Sequence, residues 1–89
     1  LMSNYCYIND INLIPWDHLD KPIQCKVKTR YRQPEQPATV EQLGDDLLKI
    51  TFEEPQRAVT PGQAAVLYDG DMVLGGGTIL PEGLASTKG

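Results

Sequence analysis

No stretch of this chain approaches the ~20 consecutive apolar residues that a membrane-crossing helix needs. Nor does any segment longer than about ten residues repeat its apolar positions with the 3.6-residue period of a helix. Membrane-spanning helices and helical bundles are therefore not indicated. Histidine occurs once and cysteine twice. Cys6 and Cys25 follow neither a Cys-x-x-Cys pattern nor the ligand spacing of a zinc site. They are expected to be buried thiols in a reducing cytosol, where free cysteine behaves as a small apolar residue. A basic excess is also missing: eight Lys and Arg face twelve Asp and Glu, a formal net charge of -4. That balance argues against indiscriminate nucleic-acid binding but leaves room for one local patch. No charged n-region followed by an apolar core marks a secretory leader, so a cytoplasmic protein away from membranes is expected. The opening on Leu1 suggests a piece cut from a longer protein.

What the chain does contain is punctuation. Seven prolines and eight glycines are spread among short apolar runs in 89 residues, the mark of a turn-rich β domain. "NYCYIND" sets Tyr5, Tyr7 and Asn9 against Cys6 and Ile8, a strand of period 2. Residues 11–22 read as a connection that tucks Leu13, Ile14 and Trp16 against a core. The cleanest alternation is "IQCKVKTRY" (23–31), with Ile23, Cys25, Val27, Thr29 and Tyr31 on one face. Gln24, Lys26, Lys28, Arg30 and Arg32 take the other. "QPEQP" should break the pattern, because proline cannot donate to a ladder. "ATVEQL" (38–43) and "LLKITFEE" (47–54) flank a turn at Gly44-Asp45-Asp46. Residues 55–63 are irregular, with Pro61-Gly62 suited to a type II turn. Residues 64–80 give two strands around Asp69-Gly70. About six short strands in so small a chain predict an all-β fold, a closed or partly closed antiparallel barrel.

Most candidate sites dissolve in context. Gly75-Gly76-Gly77 does not open a helix, as a phosphate loop must, and instead suggests a bulge, a bend or a close backbone approach. His18 has Asp17 and Asp20 beside it but no nucleophile and no metal-ligand spacing. The remaining acids sit at turns. The basic strand is sharper, since Lys26, Lys28, Arg30 and Arg32 would follow one another at about 6.5–7 Å along one face. That matches the ~6–7 Å between neighbouring phosphates of a nucleic-acid strand. A solvated, lysine-guarded strand fits the alternation equally well, and the pattern alone leaves both readings open.

Two segments go further. Lys28-Thr29-Arg30-Tyr31-Arg32-Gln33, and then Pro55-Gln56-Arg57-Ala58-Val59-Thr60-Pro61-Gly62-Gln63 running into the Tyr68 strand and Gly75–Gly77, resemble the C-terminal domain of the tRNA-specific 2-thiouridylases. The resemblance covers roughly residues 23 to 79; ahead of it, Asn12-Leu13 stands where that family usually has Asn-Trp. It implies a parent with an N-terminal ATP-pyrophosphatase domain that uses ATP and Mg to activate C2 of the wobble uridine as an adenylate. Two cysteines upstream of this segment would carry persulfide sulfur from a donor protein, and a central domain would complete the enzyme. None of those catalytic elements lies in this sequence, so the domain alone is expected to be inert, with no catalytic residue, metal site or cofactor of its own. The expected layout is a strand and connection from the preceding domain (1–22), the barrel (23–80) and a flexible tail (81–89). Lys26, Lys28, Arg30, Arg32 and Arg57 are the expected contacts to the tRNA backbone. Arg57 could equally cap turn carbonyls near Pro61-Gly62. The alternatives are a purely structural barrel that touches no RNA, and a barrel that holds a small molecule.

Overall fold

A computed structural model of the chain describes residues 2–29, 33–57 and 59–81, with their side chains except at 2, 3 and 57. These residues form six strands: β1 (Met2–Leu13), β2 (Ile23–Lys28), β3 (Gln36–Gly44), β4 (Leu47–Arg57), β5 (Ala64–Asp69) and β6 (Met72–Ile79). They close into an antiparallel barrel in the order β1-β4-β3-β2-β5-β6, with β6 returning to β1. The expected class and strand number are met. Residues 2–13, assigned from sequence to a strand leading in from a preceding domain, occupy a place in the barrel wall between β4 and β6.

Alternation explains the core. Over most of the strand length every second residue points inward, broken at the bulges and in β6, and Ile8, Val27, Val40, Leu48, Ile50, Leu67 and Ile79 are almost wholly buried. Each such side chain contributes roughly 1.5–3 kcal/mol relative to exposure, and together they fill the interior. A barrel filled in this way has no lumen for a small molecule.

The turns follow their residue chemistry. Gln63 N–H donates to Thr60 O at 3.2 Å across Pro61-Gly62, and Gly62 has φ +89°, as the third position of a type II turn requires. The triple glycine is a matter of space. A Cβ on Gly75 would strike the Asn12 carbonyl oxygen, one on Gly76 that of Ala65, and one on Gly77 that of Asn9. Strand β6 therefore lies too close to both β1 and β5 for side chains there, and a register shift against Leu67 and Tyr68 adds a bulge.

Four expectations change. Strand β1 runs on to Leu13, and beyond it Ile14 is 62% exposed, while Leu19, which the alternation does not mark, is buried. The reason is a clamp: Leu19 N–H donates to Gln42 Oε1 at 2.7 Å, and Gln42 Nε2 donates to Gly44 O at 2.8 Å. This holds Leu19 against the core, while Ile14 N–H is fixed separately, donating to Leu74 O at 2.9 Å. Second, β2 spans Ile23–Lys28 and Thr29, expected within it, lies beyond its end; the rest of that expectation, residues 30 and 31, lies outside the described residues. Third, Pro37 lies inside β3, where β2 pairs with it but the β4 ladder begins only at Ala38. Fourth, Pro55 lies inside β4, which extends past Glu54 to Arg57. There, Asn4 of β1 faces residues 52–55, between the pairs Ser3↔Gln56 and Tyr5↔Thr51. Pro55 thus stands in the shifted stretch of the β1–β4 ladder, and Pro37 pairs with β2 alone, both places where a strand tolerates proline.

Candidate nucleic-acid interface

The register brings the two sequence motifs to one mouth of the barrel. The chain leaves β2 at Lys28 and re-enters at Gln36, with Val27 paired to Gln36 and Lys28 to Val66. At the same mouth β4 ends at Arg57 opposite Met2, and β5 begins at Ala64 opposite Thr78. The described residues of the two segments, 28, 29 and 33 of the first and 55–57 and 59–63 of the second, thus lie at one end of the barrel though well separated in sequence.

Of the five predicted contact residues, the structure places two in full. Lys26 is exposed and Lys28 half-buried, both on the outer face of β2, while Val27 faces the core. Arg57 ends β4 at the shared mouth, with its side chain outside the described residues. Arg30 and Arg32 also lie outside the described residues. In register, Lys26 has Pro37 on one side and Tyr68 on the other, and Lys28 has Val66. A cleft of about 310 Å³ next to Lys26 is lined by Glu53 and Asp69 as well. No acid lies near these cations in sequence between Asp20 and Glu35, but two approach in space from β4 and β5. The positive stripe is thus moderated at its Lys26 end.

The thiols are not nucleophiles at neutral pH. Burial pushes Cys6 up to about 12. Cys25 rises to about 11, through burial first and the neighbouring Asp69 carboxylate second. His18 Nε2 and Asp20 Oδ1 are 3.1 Å apart in an exposed pair. Among the described residues, no group of three or more His, Cys, Asp or Glu is arranged to hold a metal ion. Gly75–Gly77 lies within β6 against its neighbours' backbones, so these glycines do not form a cradle for an ATP phosphate.

A further cluster was not visible from the sequence. Tyr5 and Tyr7, on the outer face of β1, meet edge to face with ring centroids 5.7 Å apart at 85°. Lys49 of β4 lies over both, 5.2 Å from the Tyr5 ring centre and 6.0 Å from that of Tyr7. The period-2 pattern of "NYCYIND" gave the two rings a common face. Lys49 joins them only through the pairing Tyr7↔Lys49, and that register is not written in either segment.

Comparison with known proteins gives a consistent result. The family described as "Aminomethyltransferase beta-barrel domain" matches residues 3–79. The "tRNA-specific 2-thiouridylase MnmA" of Clostridioides difficile is 49% identical over 70 residues, 79% of this chain and 19% of that protein. Its counterpart from Halalkalibacterium halodurans is 54% identical over 69 residues, 78% of this chain and 19% of the relative. The Synechocystis protein of the same name is 48% identical over 82 residues, 90% of this chain and 22% of the relative. The chain thus spans about a fifth of the length of the curated relatives it matches.

Proposed function

The chain belongs to the aminomethyltransferase β-barrel domain family and matches the C-terminal domain of tRNA-specific 2-thiouridylases; on that premise we propose that it helps such an enzyme hold tRNA while sulfur is transferred to C2 of the wobble uridine. The observation that carries this reading is identity of about one half to proteins of that name over most of the chain. The barrel contributes no reacting group. Its thiols are held protonated, and its triple glycine serves strand packing. Chemistry is assigned to the parent's N-terminal ATP-pyrophosphatase domain, its upstream cysteines and a persulfide-donating partner, in the cytoplasm, while the central domain shares with the barrel the task of holding tRNA.

The barrel's own part is positional. Lys26 and Lys28, with Arg30, Arg32 and Arg57 in the two motif segments, would offer cations to the RNA backbone near the shared mouth. Such contacts fix register and orientation without reading sequence. A second reading, a brace between protein domains, draws support from the opposite mouth. Ile14, Leu43, Met72 and Val73, the large exposed apolar residues among those described, all lie at that end.

Salt-dependent tRNA binding by the full-length enzyme tests the proposal. Replacing Lys26 and Lys28 with Ala, or Arg30 and Arg32 with Ala, should weaken binding and lower the salt slope by roughly 1–2, at ~0.7–0.9 per phosphate contact. Unchanged affinity and slope in both variants would leave the barrel as a brace.

A further inference from the structure

We infer that Tyr5, Tyr7 and Lys49 form a stacking site for one unpaired nucleotide of the bound RNA, an inference that rests on the tRNA reading above. Tyr5 and Tyr7 are half-buried and border a surface hollow of about 220 Å³. Its other walls include Val59 and Pro61 of the second motif and Leu80 just after β6. The hollow therefore joins an aromatic surface of β1 to the segment that converges with the basic one.

Lys49 supplies the complementary charge. It stands directly across from Glu41 in the β3–β4 register, yet among the described residues it makes no ion pair. Its ammonium rests over the two tyrosine rings instead. Lys49 and both tyrosines are half-buried, not sealed from solvent, so the cation is held over the rings with only modest strength. Lys49 is thus free to swing to a phosphate as a base takes its place on a ring. Planar rings, an apolar wall and one mobile cation are what a splayed-out nucleotide needs: a face to stack on and a charge for its phosphate. A protein side chain in the hollow would use the apolar wall but not this combination.

The test uses the full-length enzyme and tRNA carrying 5-bromouridine, irradiated in the complex, with crosslinked peptides identified by mass spectrometry. Crosslinks to the peptide holding Tyr5 and Tyr7 are expected. In binding, Tyr5→Leu with Tyr7→Leu should lose about tenfold or more, while Tyr5→Phe with Tyr7→Phe, which keeps both rings, stays near the parent. Lys49→Gln should lower the salt slope by about 0.7–0.9. Crosslinks to residues 26–36 or 55–63 without any to β1, together with unchanged binding by the double Leu variant, would overturn the stacking site and leave the backbone-contact reading standing. Crosslinks confined to the rest of the enzyme would overturn both. Tyrosines already shielded from nitration by tetranitromethane before RNA is added would mark a covering protein segment and also overturn the site.

Discussion

Asp46 belongs to the turn between β3 and β4, yet its carboxylate holds two amides of β1. Asp10 N–H donates to Oδ2 at 3.0 Å and Ile11 N–H to Oδ1 at 2.8 Å. These amides sit in a bulge, where three residue steps on β1, from Asn9 to Asn12, match two on β6, from Thr78 to Gly76. Asp10 there adopts φ +51°. Asp46→Ala should destabilise the fold by about 1–3 kcal/mol, read from urea midpoints, and Asp46→Asn by less. An undiminished midpoint in Asp46→Ala would show that water serves the bulge as well. The thiols give a pH test at the same scale. The unfolded chain releases their protons near the ordinary value of 9.0, whereas the folded chain holds them toward 11 and 12. Between these values the folded state binds more protons, so stability from this source is complete below about 9 and declines as pH rises. A variant with both cysteines replaced by alanine should be less stable at pH 8 yet decline less steeply from pH 8 to 10 than the parent. Parallel declines would remove the thiols as the cause.

At the scale of the element, β6 depends on having no side chains over three residues. Gly76→Ala would drive a Cβ into the Ala65 carbonyl between two fixed strands, at a cost of several kcal/mol by the standards of overpacking, ~1–3 or more. Gly62→Ala meets open space and carries only the strain of its positive φ, about 1 kcal/mol. Thermal melts of the two variants should therefore separate clearly, with Gly76→Ala the lower. The strand count, the alternation of β2 and the role of the glycines were legible in the sequence because each depends on residues close together in the chain. The ends of β2 and β4 and the tolerance of Pro37 and Pro55 were not. A proline's cost depends on whether a neighbouring strand expects its N–H, and that neighbour comes from a distant segment. The burial of Leu19 was hidden for the same reason: the Gln42 amide that bonds its N–H is 23 residues away.

Over the whole molecule, closure means that no strand is left as an edge, and the connection carrying Trp16 lies against the same core as the strands. Unfolding should be a single transition. Tryptophan fluorescence, which reports the 14–22 connection, and far-UV circular dichroism, which reports the barrel, should give coincident denaturant curves. An earlier fluorescence transition would mean that the Gln42 clamp opens before the barrel does. The candidate interface was only partly legible at this scale. Alternation put Lys26 and Lys28 on the outer face, and the motifs named a family. Their convergence at one mouth, the approach of Glu53 and Asp69 to Lys26, and the seating of Lys49 over two tyrosines all arise from register between strands. An apolar mouth set against a motif-bearing one is likewise a product of topology.

The place of β1 in the wall also has a consequence in time. It is the first strand of the barrel made on the ribosome, but its partners are β4 and β6: Ile8 pairs with Leu48 on one side and with Ile79 on the other. Until β4 has been synthesised β1 has no partner at all, and the wall closes only when the final strand has emerged. Pairing over such separations makes folding slow compared with local structure. The nascent domain therefore carries an unmated strand until β4 emerges, and β1 keeps one open edge, beside Ile8 and Asn9, until β6 follows.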